Sequence, residues 1–172
     1  MFELDSSQIE EYHKDKPEYY RQLALQLKAL LGEDKNAITN MAQTSAFIFQ
    51  MLPDLNWSGF YLANADKPQN LILGPYQGKV ACVHIPFGRG VCGAAAASQK
   101  TQLIENVNEF DGHIACDAAS QSEVVVPLVV EGEVKGVLDI DSPSVNRFDT
   151  EDATGFELLA QTFIEQTDLS QL

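Results

Sequence analysis

At 172 residues, with a hydrophobic content of 45%, the chain is long enough to bury a core of its own without disulfide staples. Its formal charge of −14, unrelieved by any local basic stripe, argues against nucleic acid and anionic lipid surfaces as partners. No membrane span is expected, because the apolar run from Val124 to Val130 is broken by Pro127 and falls far short of the roughly 20 residues that cross a bilayer.

The amino terminus, MFELDSSQIEEYHKDKPEYY, is acidic and lacks a basic-then-apolar secretory pattern, so a cytoplasmic location is expected. After this polar lead-in, Pro17 opens a helix whose Tyr20, Leu23, Leu27, Leu30 and Leu31 recur at helical spacing until Gly32. A second helix is predicted from about Ala37 to Met51, with Ile38, Met41, Ala42, Ser45, Phe49 and Leu52 on one side and Pro53 ending it. Two helices thus precede the first strand.

From Trp57 the period becomes that of strands. SGFYLA and NLILGPY, separated by the turn-forming NADKPQN, read as a hairpin. A third strand near VACVHIPF places Cys82 on an alternating segment and leads through GRGVCG into a short alanine helix. TQLIENV follows as a strand, and VVVPLVV and EVKGVLDID form a second hairpin across Glu131 and Gly132. A closing helix runs from Thr150, its expected cap, with Phe156, Leu159, Ala160 and Phe163 along one face. Helices bracketing hairpin-connected strands predict an α+β fold, a central antiparallel sheet with N- and C-terminal helices packed against it.

Two groups of residues carry chemistry. Cys116 lies in FDGHIACDAASQSE, a stretch with too few large apolar groups to lock a thiol into a core, and Cys82 and Cys92 are near enough in sequence to trap what it becomes. Three cysteines, an odd number in a reducing compartment, suit redox chemistry better than a permanent disulfide framework. The second group is acidic. Asp139 and Asp141, two apart on a strand, emerge on one face, and Glu123 stands at the start of the paired strand, so three carboxylates can share a pocket. Such acids are costly in a sheet core unless they meet a cation or share a proton. The plainer alternative is that both aspartates cap the turn at Ser142 and Pro143. A zinc site drawn from Cys82, His84, Cys92, His113 and Cys116 is weaker, since no C-x-x-C or H-x-x-x-H spacing supports it.

Taken together, NWSGFYL, LILGPYQGKVACVHIPFGRGVCGAAAA, FDGHIACDAASQSEVVVPL and GVLDIDSP resemble the free methionine-(R)-sulfoxide reductases, a family built on a single GAF domain. The similarity covers about Asn56 to Phe156 and includes all three cysteine contexts. It implies one GAF domain over residues 1–172, with residues 1–53 as an N-terminal helical extension. It further implies reduction of free L-methionine (R)-S-oxide, with Cys116 as the catalytic cysteine, Cys82 as its resolving partner and Cys92 as a second participant. Glu123, Asp139, Asp141 and Trp57 match the family's substrate contacts. The resemblance implies no metal and no resident cofactor, thioredoxin as the external reductant, and a homodimer. The alternative is a GAF sensing module whose cysteines report oxidation without turnover.

Overall fold

A computed structural model describes residues 2–112 and 119–172. Three helices, rather than two, precede the first strand: α1 (Ser6–Lys14), α2 (Lys16–Leu31) and α3 (Ala37–Met51). The additional helix, α1, is set by its ends. Asp5 accepts from the Gln8 amide while the Gln8 side chain takes the Asp5 amide, a reciprocal cap that satisfies two otherwise open donors. Its one buried residue is Tyr12, so no apolar stripe announces it. On α3 the stripe is turned from the expected one. Met41, Ser45, Phe47, Ile48 and Met51 are buried, whereas Ile38 is 67% exposed and Ala42 also faces outward. Buried Asn40 and Thr44 share the inner face, and polar residues there mislead a reading based on hydrophobicity alone.

The strands β1 (Trp57–Ala63), β2 (Asn70–Gly78), β3 (His84–Pro86), β4 (Gln102–Ile104), β5 (Ser122–Val130) and β6 (Glu133–Ser142) form one antiparallel sheet in the order β3-β2-β1-β6-β5-β4. The predicted α+β architecture is what the chain adopts. The β5–β6 turn uses Glu131 and Gly132, both at positive φ, the backbone that a two-residue hairpin with strand-matching twist requires. The third strand is shorter than expected: residues 79–83 are irregular and Cys82 lies outside it.

Each sheet face has its own core. Alternate strand residues Phe60, Val124, Val126, Leu138 and Ile140 pack on α2, α3 and α5 (Thr150–Gln166). The opposite residues Trp57, Tyr61, Leu71, Val125 and Val137 pack beneath α4 (Gly90–Ser98), through Val91, Cys92, Ala95 and Ala96.

The cap of α5 is Asp149 rather than Thr150, and its partner in a second capping box, Asp152, is fully buried. Asp152 accepts from Tyr12 at 2.6 Å, Tyr20 at 2.8 Å and the Lys16 ammonium at 2.9 Å. Arg147 lies 3.8 Å from it, donates twice to the Pro53 carbonyl and covers the Tyr12 ring. Gly155 sits where any Cβ would strike the Tyr20 ring at 2.2 Å, which allows α2 to cross close against α5. These contacts fasten the first two helices to the last one.

Candidate active site

The β5–β6 hairpin sets the acidic residues by register. Glu123 pairs with Asp141, and Asp141 pairs in turn with Trp57, so the three form a row on one sheet face across β5, β6 and β1. Asp139 occupies the next row, opposite Val125 and Gly59. Asp139 and Asp141, which sequence spacing placed on one face, lie there with Glu123, and all three are buried, with 7% of Glu123, 5% of Asp139 and 8% of Asp141 exposed. At the following turn the Ser142 hydroxyl oxygen accepts from the Ser144 amide at 3.1 Å.

Cys92, in the first turn of α4, joins this cluster. Its Sγ is directed at Glu123 Oε1 at 3.9 Å, and one donor atom from each of Cys92, Glu123 and Asp139 lies within 4.8 Å of the others. The approach depends on Gly93, where a Cβ would lie 2.4 Å from the Pro86 carbonyl oxygen; the bare backbone lets α4 settle onto β3. Burial, then the charges of Asp139 and Glu123, push the Cys92 thiol well above the ordinary range. Burial and Asp139 raise Glu123, while burial and Asp141 raise Asp139. Asp139 Oδ1 is buried with no hydrogen-bond partner among the described residues. Burial and like charge thus disfavour the ionised form of these carboxyls, a cost that a cationic guest would offset.

Trp57 forms a wall rather than an exposed lid. It is 3% exposed and stacks on Tyr76 at 4.9 Å and on Tyr61 at 5.9 Å, and its Nε1 donates to the Lys79 carbonyl at 3.2 Å. Gly59 makes this stack possible, since a Cβ there would overlap that of Tyr76. Tyr61 is a site residue that sequence reading missed. Its hydroxyl donates to the Cys82 carbonyl at 2.9 Å, and burial followed by the Asp139 charge raises its phenol. The period-two relation of Trp57 to Tyr61 on one strand was the available signal. Leu73 N adds a third tether by donating to the Val83 carbonyl.

The cysteines differ in state: Cys82 is a disulfide sulfur, whereas Cys92 is a free, buried thiol. Cys116 and His113, singled out in the sequence, lie outside the described residues. His84, on β3, is exposed and is not among the donors gathered around Cys92.

Residues 39–163 match the GAF domain family model. The chain is 51% identical over 148 residues to a free methionine-R-sulfoxide reductase of Escherichia coli, covering 86% of this chain and 88% of the relative. The chain belongs to the free methionine-R-sulfoxide reductase family. A Saccharomyces cerevisiae protein of that name is 42% identical over 152 residues, covering 86% of this chain and 84% of its own. The structure of the Neisseria meningitidis free methionine-R-sulfoxide reductase in complex with its substrate superimposes with a TM-score of 0.85 at 38% identity, covering 91% and 93% of the two chains. Membership makes the chain a GAF-domain oxidoreductase, as the motifs around its cysteines implied. Among the described residues, no helix is long and apolar enough to cross a membrane.

Proposed function

We propose that this chain reduces free L-methionine (R)-S-oxide to L-methionine. The observation that carries the reading is the buried Glu123, Asp139 and Asp141 group beneath the Trp57 wall, with Asp139 Oδ1 lacking a partner among the described residues. An amino acid brings an ammonium to such a site, and the sulfoxide oxygen needs a proton donor. Ionised carboxylates bind the first, and a carboxyl kept neutral by burial and like charge supplies the second. A demand for both the free ammonium and the free carboxylate of the amino acid excludes a methionine sulfoxide within a peptide.

In the proposed cycle the Cys116 thiolate attacks the sulfoxide sulfur. The oxygen takes up protons, methionine leaves with its sulfur reduced by two electrons, and Cys116 is left as a sulfenic acid. The Cys82 thiol then condenses with it to a disulfide and water. Thioredoxin returns both thiols by exchange and is itself oxidised to a disulfide. The disulfide state of Cys82 and the free, raised thiol of Cys92 support Cys82 as the resolving residue and leave Cys92 to line the pocket. The cycle uses no resident cofactor, and we assign it to a cytoplasmic homodimer of single-domain chains.

The test is thioredoxin-coupled turnover with free and peptide-bound methionine sulfoxide of both sulfur configurations. Activity confined to the free R form is expected. Equal rates on the peptide, or full activity in Cys116→Ser, would sink the assignment.

A further inference from the structure

We propose that Cys92, Glu123 and Asp139 form a binding site for a borderline divalent cation of the zinc class, and that an ion held there keeps substrate out. The two-cysteine cycle leaves Cys92 without a chemical task, yet its sulfur is placed among acids. One donor atom from each residue lies within 4.8 Å of the others, and all three residues are at least nine-tenths buried. Asp139 Oδ1, itself buried, has no hydrogen-bond partner among the described residues.

The donor set selects the ion. Zinc binds sulfur at about 2.3 Å and carboxylate oxygen at about 2.0–2.2 Å, so its tetrahedral ligands lie roughly 3.3–3.7 Å apart. The 3.9 Å between Cys92 Sγ and Glu123 Oε1 is already close to that spacing. Magnesium and calcium prefer larger, all-oxygen shells, and a thiolate serves neither. The donors come from three elements: the first turn of α4, the start of β5 and the middle of β6. Gly93 against the Pro86 carbonyl fixes how far α4 stands from the sheet, and therefore where the sulfur lies. Exclusion of substrate rests on the reading that these acids bind its ammonium; the binding of metal does not.

The experiment uses the full chain carrying Cys82→Ser and Cys116→Ser, so that Cys92 is its one thiol, titrated anaerobically with cobalt(II) chloride. A thiolate-to-cobalt charge-transfer band that saturates at one equivalent and is removed by added zinc is expected. Adding Asp139→Asn, which keeps side-chain volume, should weaken cobalt binding at least tenfold while the band persists. Absence of the band, or unchanged affinity in Asp139→Asn with its fold verified by circular dichroism, overturns the site. In the unmodified chain, zinc should raise KM for free methionine sulfoxide and leave kcat unchanged. A fall in kcat alone places the inhibitory ion on the reacting thiols and overturns the exclusion. Lack of turnover without zinc counts against the substrate reading, whereas the cobalt band is scored independently.

Discussion

The hydroxyl of Tyr61, on β1, donates to the main-chain carbonyl of Cys82, 2.9 Å away. This bond ties an irregular segment carrying a disulfide sulfur to an interior strand of the sheet. A net hydrogen bond contributes about 0.5–1.5 kcal/mol, equivalent to a factor of roughly two to ten in an equilibrium or a rate. In Tyr61→Phe, disulfide formation should therefore slow by up to about tenfold while the first release of methionine is unchanged. Rapid-quench measurement of methionine and of remaining thiols separates the two steps. An equal slowing of both would show that Tyr61 acts on the substrate instead.

Asp139→Asn and Glu123→Gln should each lower kcat/KM by about ten- to a hundredfold, corresponding to the ~1.5–3 kcal/mol of a charge-assisted hydrogen bond. The same changes should raise the urea midpoint. Each removes an acid whose burial beside like charges opposes folding, without emptying its volume. Loss of stability together with activity would mean that the acids hold the fold rather than the ligand.

Stability should also fall with rising pH in a definite window. Asp139 and Glu123 have folded values well above 3.8 and 4.5. Between those ordinary values and the raised ones the native state binds more protons than the unfolded chain, so the free energy of unfolding declines as pH increases through the interval. Below the ordinary values the acids are protonated in both states and contribute no slope. Urea titrations of the wild-type chain and Asp139→Asn from pH 5 to pH 8 should show the flatter profile in the variant.

At the other end of the molecule, Asp152→Asn should destabilise by about 3–5 kcal/mol, because Lys16 and Arg147 lose the buried charge that compensates them. Tyr20→Phe removes one donor to the same carboxylate and should cost about 1 kcal/mol. Urea unfolding of the two variants checks the order. Equal midpoints would show that the hydrogen bonds, rather than the charges, hold the helices.

The acidic pocket was legible in part at GVLDID, where period two puts Asp139 and Asp141 on one face; an unbroken two-residue hairpin at Glu131 and Gly132 would set Glu123 opposite Ile140, and the register shift between Leu128 and Val129 brings it opposite Asp141 instead. The contact between Cys92 and Glu123 was not legible. It depends on how deeply α4 seats against β3, a distance set by Gly93 and the Pro86 carbonyl and by nothing periodic in the chain. Tyr61 escaped notice for a related reason: its partner is a main-chain carbonyl, which carries no sequence signal. The α1 helix was hidden because reciprocal capping and the single anchor Tyr12 replace an apolar stripe. Membership of the family was readable from the motifs around all three cysteines, although Cys116 itself lies outside the described residues.

Asp152 accepts hydrogen bonds from Tyr12 and Tyr20, partners 140 and 132 residues away along the chain. A ribosome therefore finishes the two tyrosines long before it supplies their acceptor. Until then the first two helices have no carboxylate to dock on, and the loop that must close between them is a long one. Completion of this fold therefore waits for the segment around Asp152, and a nascent chain stalled before it should be held by chaperones rather than become a partly working reductase.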